Sequence, residues 1–397
     1  MKIVIAPQTF KGSISALEVA QSMSEGVRRV VPDAEIVMVP VADGGDGTLE
    51  TLVEGSAGKI QSSVVTGPLG KHVTAQWGAM GDGKTAVIEM ARTSGLALVP
   101  EQNRNPLIST TFGLGETIRH ALNSGFRKFI IGIGGSATND AGAGMAQALG
   151  IHFLDANGKE LSFGGAALSK LDQIDLKSLD ARALQSEFLV ACDVSNPLTG
   201  PEGASAIYGP QKGASPEMVD QLDSALRNFG NIISRDIDID VDKIPGSGAA
   251  GGLGAGLTAL LGAKLRKGVD IVLDSVNLDS HLKDADLVIT GEGQMDYQTV
   301  YAKAPIGVAE RSSLYGVPVI AISGSLGENY QVVHKHGISA VGAITTSPMT
   351  LSDASENASS VSSPSVVDAL VYQPPLHIIG RGDQDSYRNE TQASKQA

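Results

Sequence analysis

The chain has 397 residues, 42% apolar and 18% charged, with 4% aromatics and 48 glycines, a globular composition long enough for two domains. A net charge of −13 argues against nucleic acid or an anionic membrane as a large-surface partner. The single cysteine, Cys192, excludes an intrachain disulfide and a Cys-based zinc site.

The N-terminus enters a short strand pattern, Lys2–Ala6, whose apolar run is too short for a signal-peptide core. No run of about 18 apolar residues occurs. A soluble, cytoplasmic protein, monomeric or a small homo-oligomer, is therefore expected. The first strand ends in Pro7-Gln8-Thr9-Phe10-Lys11-Gly12-Ser13. Ser15 and Glu18 then form a capping-box pattern, followed by apolar residues at helical spacing (Leu17, Ala20, Met23, Val27, Val30). A second strand, Glu35–Val41, ends in Ala42-Asp43-Gly44-Gly45-Asp46-Gly47, and a helix is expected from Thr48 to about Glu54. This βαβα start implies a parallel sheet, with Lys11, Asp43 and Asp46 on one rim.

The pattern then changes to alternating runs around Val64–Thr66 and Val73–Met80, with a further strand at Thr85–Met90. Gly78 to Thr85 fits the phosphate-loop pattern G-x-x-x-x-G-K-T, but it lies between two strand-like runs. An Asp-Gly pair there signals a hairpin instead. After a helix near Gly115–Leu122, the strand Lys128–Gly132 runs into Gly134-Gly135-Ser136-Ala137-Thr138-Asn139-Asp140. Gly132 to Ala137 fits the dinucleotide pattern G-x-G-x-x-A. The acid that pattern requires, Asp155, sits in a turn-like stretch. Gly134, Gly135, Ser136 and Thr138 are read more simply as an anion-holding loop or as close packing.

Phe188–Cys192 is a strand ending in Asp193-Val194-Ser195-Asn196. Gly209-Pro210-Gln211-Lys212-Gly213 precedes a helix capped by Ser215, with Met218, Leu222, Leu226 and Phe229 on its buried stripe. Asp236–Asp242 alternates acidic and apolar residues. It reads as a solvated edge strand, since a calcium loop needs glycine where Val241 stands. The glycine-rich run Gly246–Gly256 leads into an apolar helix. Asp286–Thr290 is a buried strand expected to end at Gly291-Glu292-Gly293, where glycines permit φ > 0 and close ligand approach. Asp296, Gln298, Thr299 and Lys303 follow. A helix near Ile306–Leu314, a strand at Pro318–Ser323 and a last βα pair at Ala340–Thr345 complete the pattern. From Ser352 the chain is Ser-rich and polar, as in a disordered tail.

Nine stretches, in order, carry a family resemblance: FKGS (10–13), ADGGDGT (42–48), DGKTAVIEMA (82–91), RNP (104–106), GGSATNDAG (134–142), ACDVSNPL (191–198), GPQKGA (209–214), GAAGGLG (248–254) and GEGQMDYQT with KAP (291–305). Together, over about Met1 to Leu351, they resemble the bacterial glycerate kinases of the first type. The resemblance implies ATP- and Mg²⁺-dependent phosphorylation of D-glycerate, mostly to 2-phosphoglycerate. It also implies an α/β fold: a flavodoxin-like parallel-sheet domain carrying an inserted α/β domain, with the active site in the cleft. The expected division is 1–65 plus 285–351, an insertion at 66–284, and a tail at 352–397. The chain departs from the family at Gln8 and Thr9, where an acid and a serine are usual, and at Ala302, where glycine is usual. The Ser-rich tail also stands where an Ala/Glu-rich helix is usual, which suggests an altered reading frame or a replaced terminus.

Phosphoryl transfer needs alignment and charge neutralisation more than covalent chemistry. Lys11, Lys212 and Lys303 are candidates to neutralise phosphate. Asp43, Asp46 and Glu292 are candidate Mg²⁺ ligands, and Asp296 is open to that role as well. Asp193 or Asp296 is the candidate base. Arg104 suits a glycerate carboxylate, with Asn196, Gln298 and Thr299 as further substrate contacts. Gly291 and Gly293 join the anion-holding loop as candidate nucleotide contacts. Two rival readings are a nucleotide-dependent oxidoreductase and a non-catalytic glycerate-binding relative.

Overall fold

The structure, a computed structural model, describes residues 1–45, 47–301 and 303–345. Asp46, Ala302 and the Ser-rich tail lie outside the described residues. The strands are, in chain order, β1 (Lys2–Pro7), β2 (Glu35–Met38), β3 (Lys59–Thr66), β4 (His72–Ala79), β5 (Thr85–Glu89), β6 (Lys128–Gly132), β7 (His152–Leu154), β8 (Gln173–Asp175), β9 (Glu187–Ala191), β10 (Lys264–Arg266), β11 (Leu287–Met295), β12 (Val319–Leu326) and β13 (Ile338–Ala343). The helices that position the site are α1 (Ala16–Val30), α2 (Thr48–Gly55), α3 (Phe112–Asn123), α4 (Ala143–Ala148), α5 (Pro216–Ile237), α6 (Ala249–Leu261), α7 (Gly268–Ser275) and α8 (Ala304–Leu314).

The first sheet has the order β13-β12-β11-β1-β2, and every pairing in it is parallel. Numbered by appearance, that is 2-1-3-4-5, the flavodoxin-like order. The second sheet has the order β10-β9-β6-β5-β4-β3 and is parallel from β10 to β5, with β4 and β3 antiparallel. It is built from chain inserted between β2 and β11. The fold is therefore mixed α/β.

Alternation along β1 explains the layering. Ile3 and Ile5 pack against Val19 and Met23 of α1. Val4 and Ala6 face a second apolar layer with Leu49 and Leu52 of α2, Val269 and Val272 of α7, and Ile306 of α8. Val87, Ile130 and Ala191 of the second sheet close that same layer. The other face of the second sheet (Ile88, Phe129, Ile131, Val190) packs on α3, α5 and α6. Strands covered on both faces need near-continuous apolar runs, as β1 and β5 have.

Three expectations change. β3, assigned by sequence mostly to the first domain, pairs along its whole length with β4 in the second sheet, so the change of sheet falls after α2. β11 does not stop at Gly291; it runs to Met295 alongside β12. Neither Gly291 nor Gly293 has positive φ. Glycine is needed at 291 because a Cβ would lie 2.0 Å from the Ile322 carbonyl oxygen. Asp236–Asp242 is not an edge strand: α5 carries through to Ile237, Asp238 ends it at φ 61°, and a short 3₁₀ turn follows at Val241–Lys243. The apolar spacing that continues α5, with Ile232 and Ile233 buried, outweighs the local alternation. The turn between β4 and β5 is a hairpin, as expected, with Gly83 at φ 65°.

Candidate active site

In a 2-1-3-4-5 sheet, ligands bind beyond the carboxyl ends of the strands flanking the reversal, here β1 and β11. The Gln8 N–H donates to the Gly291 carbonyl at 2.8 Å, tying the two strand ends together. Gln8 Nε2 then donates to Asp43 Oδ2 at 3.0 Å, and the Gly45 N–H donates to Asp43 Oδ1 at 3.1 Å. Gln8 Oε1 is buried without a hydrogen-bond partner among the described residues. Lys11 is exposed just beyond, with its backbone nitrogen 3.3 Å from where a Cβ on Gly293 would stand.

The loop after β2 meets the second sheet through backbone. A Cβ on Gly268 would lie 2.1 Å from the Asp43 carbonyl oxygen, and one on Gly44 would lie 2.6 Å from the Gly268 Cα and 3.0 Å from the Ala191 Cβ. Only glycine allows that approach. The Gly268 N–H, opening α7, donates to Asp193 Oδ1 at 2.9 Å. Asp193 follows β9, so the two carboxylates come from different sheets. Burial, and next the Asp43 charge among the side chains that oppose ionisation, push the Asp193 carboxyl above the ordinary carboxylate range; the Gly268 N–H and Lys267 oppose this. That is the signature of two like charges brought together in a partly desolvated place.

Glu292 centres a second group. Its carboxylate accepts from Thr299 Oγ1 at 2.7 Å and from Lys303 Nζ at 3.3 Å. Burial pushes it up, and Lys303 pulls it back. Both oxygens thus have partners, as do both oxygens of Asp43. Thr299 is fully buried and also accepts from the Asp296 N–H, so it shapes the turn rather than facing solvent. Asp296 caps that turn, accepting from the Gln298 N–H at 2.7 Å. Gln298 is exposed and donates to the Tyr297 hydroxyl.

A third group lies on the rim of the second sheet. Gly134 and Gly135 are exposed after β6, and Ser136 is pinned by a bridge to Gly95. Lys212 is 1% exposed, and its ammonium donates to the Thr138 carbonyl at 2.7 Å. Burial lowers its pKa to about 7, against the pull of Asp140. Thr138 Oγ1 is buried without a partner among the described residues. Arg104 donates to the Gln211 carbonyl at 3.3 Å, while its Nε is buried and unpaired among the described residues. Asn196 spends both ends of its amide on the Glu202 carbonyl and the Tyr208 hydroxyl. The dinucleotide pattern fails here, because α4 begins at Ala143 rather than at the glycines.

Sequence reasoning gave no role to Gln8 beyond its being a departure, and none to Gly268. It also missed Glu89, at the end of β5, which accepts from the Leu49 N–H of α2 and from Arg92; Arg92 in turn reaches Glu50. That network ties α2 to the second sheet. An acid ending a buried strand was the signal available for it.

A sequence profile described as "Glycerate kinase family" matches residues 3–365. The chain belongs to the glycerate kinase family. Its relatives include the Glycerate 2-kinase of Escherichia coli K12, 53% identical over 89% of this chain and 93% of that protein. The Glycerate kinase of Bacillus subtilis is 52% identical over 90% and 94%. A crystal structure of a candidate glycerate kinase 2 from Salmonella typhimurium LT2 superposes with a TM-score of 0.86 at 48% identity, covering 100% of each chain. Membership in this kinase family, with the broken dinucleotide pattern, removes the ground for the oxidoreductase reading. No helix among the described residues is long and apolar enough to cross a membrane.

Proposed function

We propose that this chain phosphorylates D-glycerate with ATP, at the 2-hydroxyl, giving 2-phosphoglycerate and ADP. The family and the E. coli relative named Glycerate 2-kinase support the substrate. The observation that carries the site is the close backbone approach of Gly44 and Gly268, which brings the Asp43 loop of one sheet beside Asp193 of the other. Asp193 has one oxygen held by Gly268 and a carboxyl made more basic by its surroundings. That suits it to take the proton from the attacking hydroxyl. Lys303, held by Glu292, and Lys11 neutralise the phosphoryl group. Gly134 and Gly135 offer backbone to the nucleotide phosphates, and Arg104 meets the glycerate carboxylate. Lys212, Thr299, Asn196 and Asp296 shape their loops instead.

Mg²⁺ fits this donor set. Gln8 Oε1 is a buried acceptor in want of a partner, and it sits on the side chain that orients Asp43. No group of three His, Cys, Asp or Glu residues able to hold a metal occurs among the described residues. Mg²⁺ commonly takes only one or two carboxylates, with water and phosphate completing its shell. Asp43 and Gln8 would hold it, and it would supply charge neutralisation at the phosphates. A cytoplasmic location goes with a substrate pair that includes ATP. The test is incubation with ATP, Mg²⁺ and D-glycerate read by phosphorus NMR. The 2-phosphoglycerate resonance is expected; no new phosphate ester would overturn the activity, and 3-phosphoglycerate would overturn the regiochemistry.

A further inference from the structure

A cavity of about 270 Å³ opens at the end of the second sheet opposite the catalytic rim. Its floor is Met80, Ile130, Leu189 and Ile271, all within or against the apolar layer between the sheets. Its mouth carries Lys128 and Glu187, the first residues of β6 and β9. These two are in register on adjacent parallel strands, so their backbones are about 5 Å apart.

Two other acids line the cavity, but their carboxylates are engaged. Asp82 accepts from the Lys84 and Thr85 N–H groups and from the Thr85 hydroxyl. Asp274 accepts from Arg266 and Arg311. Lys128 and Glu187 make no side-chain hydrogen bond or ion pair among the described residues; Lys128 feels Asp82 only at longer range. One unspent positive charge and one unspent negative charge, side by side over an apolar floor, complement a small zwitterion with an apolar tail.

We propose that this cavity binds an aliphatic α-amino acid, and that α7 communicates its occupancy to the catalytic rim. The ammonium meets Glu187, the carboxylate meets Lys128, and the side chain lies on the floor. α7 touches both places. Its residues Ile271, Asp274 and Ser275 line the cavity. Its first residue, Gly268, holds Asp193 and packs on the Asp43 carbonyl. A helix of this length spans about 12 Å, so a small tilt driven at one end is felt at the other. The site goes beyond the kinase reading, and its binding is measurable without turnover.

The probe is L-leucine, titrated into the full chain by calorimetry up to about 10 mM. Saturable binding is expected, weakened at least about tenfold by Glu187→Gln and by Lys128→Met, which each remove one charge-assisted contact. Both residues are exposed, so the variants keep their fold. 4-Methylpentanoate, lacking the ammonium, and isoamylamine, lacking the carboxylate, should bind at least about tenfold more weakly than L-leucine. No saturable binding, binding that survives both substitutions, or equal binding of either half-ligand would overturn the site. Coupling is read as reciprocity: L-leucine should change the Kd for D-glycerate by the same factor by which D-glycerate changes the Kd for L-leucine. A factor of one would overturn the communication through α7. Product formation in the phosphorus NMR test is a separate readout, so failure of this site and failure of the kinase reading are distinguishable.

Discussion

Lys303→Met tests whether the Glu292 group is machinery or scaffold. The Lys303 ammonium is 3.3 Å from a Glu292 oxygen, with the side chains 31% and 7% exposed. At an effective dielectric of about 20, two unit charges at that separation attract by about 5 kcal/mol. Desolvation and the one-third exposure of the lysine take back most of this, leaving an expected stability loss of about 1–3 kcal/mol for Lys303→Met. Glu292→Gln keeps an acceptor for Thr299 and frees a lysine that can reach water, so it should cost at most about 1 kcal/mol. Combined with Lys303→Met it should add little, giving a coupling of up to about 1 kcal/mol in a double-mutant cycle by urea unfolding. Turnover separates the roles. If Lys303 meets the transferring phosphoryl group, Lys303→Met should lower kcat at least about 100-fold. Glu292→Gln, which only positions it, should cost nearer tenfold. Additive stabilities, or near-normal kcat in folded Lys303→Met, would refute this reasoning.

Other substitutions probe the neighbouring parts. Asp296→Asn should leave turnover within a few-fold because asparagine also caps, whereas Asp296→Ala should cost about 1 kcal/mol in urea unfolding. In metal-free protein, carbon-13 NMR should show the Asp193 carboxyl titrating above an ordinary aspartate and moving down in Asp43→Asn, since removing a like charge favours ionisation; an unmoved titration would separate the two residues. Gly268→Ala should destabilise by about 1–3 kcal/mol through overlap with the Asp43 backbone, and should lower kcat as well. For Lys212, burial holds the folded pKa near 7, below the unfolded 10.5, so the unfolded chain binds more protons between those values. The stability of the parent relative to Lys212→Met should therefore rise with pH across that window and level off above it; a flat difference by urea unfolding would contradict this.

The parallel βα units were legible because strands buried on both faces must be nearly continuously apolar, as residues 3–7 are. The motifs placed Asp43 and Asp193 beyond strand ends, which is where a doubly wound sheet presents its ligands. Their meeting was not legible. It depends on Gly44 and Gly268 touching, a contact between distant loops with no local pattern. The surroundings of Glu292 were not legible for a related reason. Its partners Thr299 and Lys303 arrive only because the chain makes a 3₁₀ turn at Tyr297–Val300, and a carboxylate read without its turn looks available for metal. Gly291 shows the limit of residue-type reasoning. Glycine at a strand end signals either positive φ or a crowded neighbour, and only the approach of Ile322 decides for crowding.

The two carboxylates across the sheets explain why the rim is poised rather than merely polar. A structural ion pair would seat a lysine or arginine opposite Asp193 and pull its carboxyl down. Lys267 is near enough to pull that way, yet burial with Asp43 and Asp270 prevails. The two loops are brought together by backbone, through the Gly44–Gly268 approach and the Gly268 N–H bond to Asp193. Electrostatic repulsion held in place by packing is relieved only by a proton or a cation. Under the proposed reaction, a metal-bound nucleotide would supply the cation and the acceptor hydroxyl the proton. The same strain in a protein that only bound glycerate would be a cost with no return, because an anion would add a further negative charge to the rim.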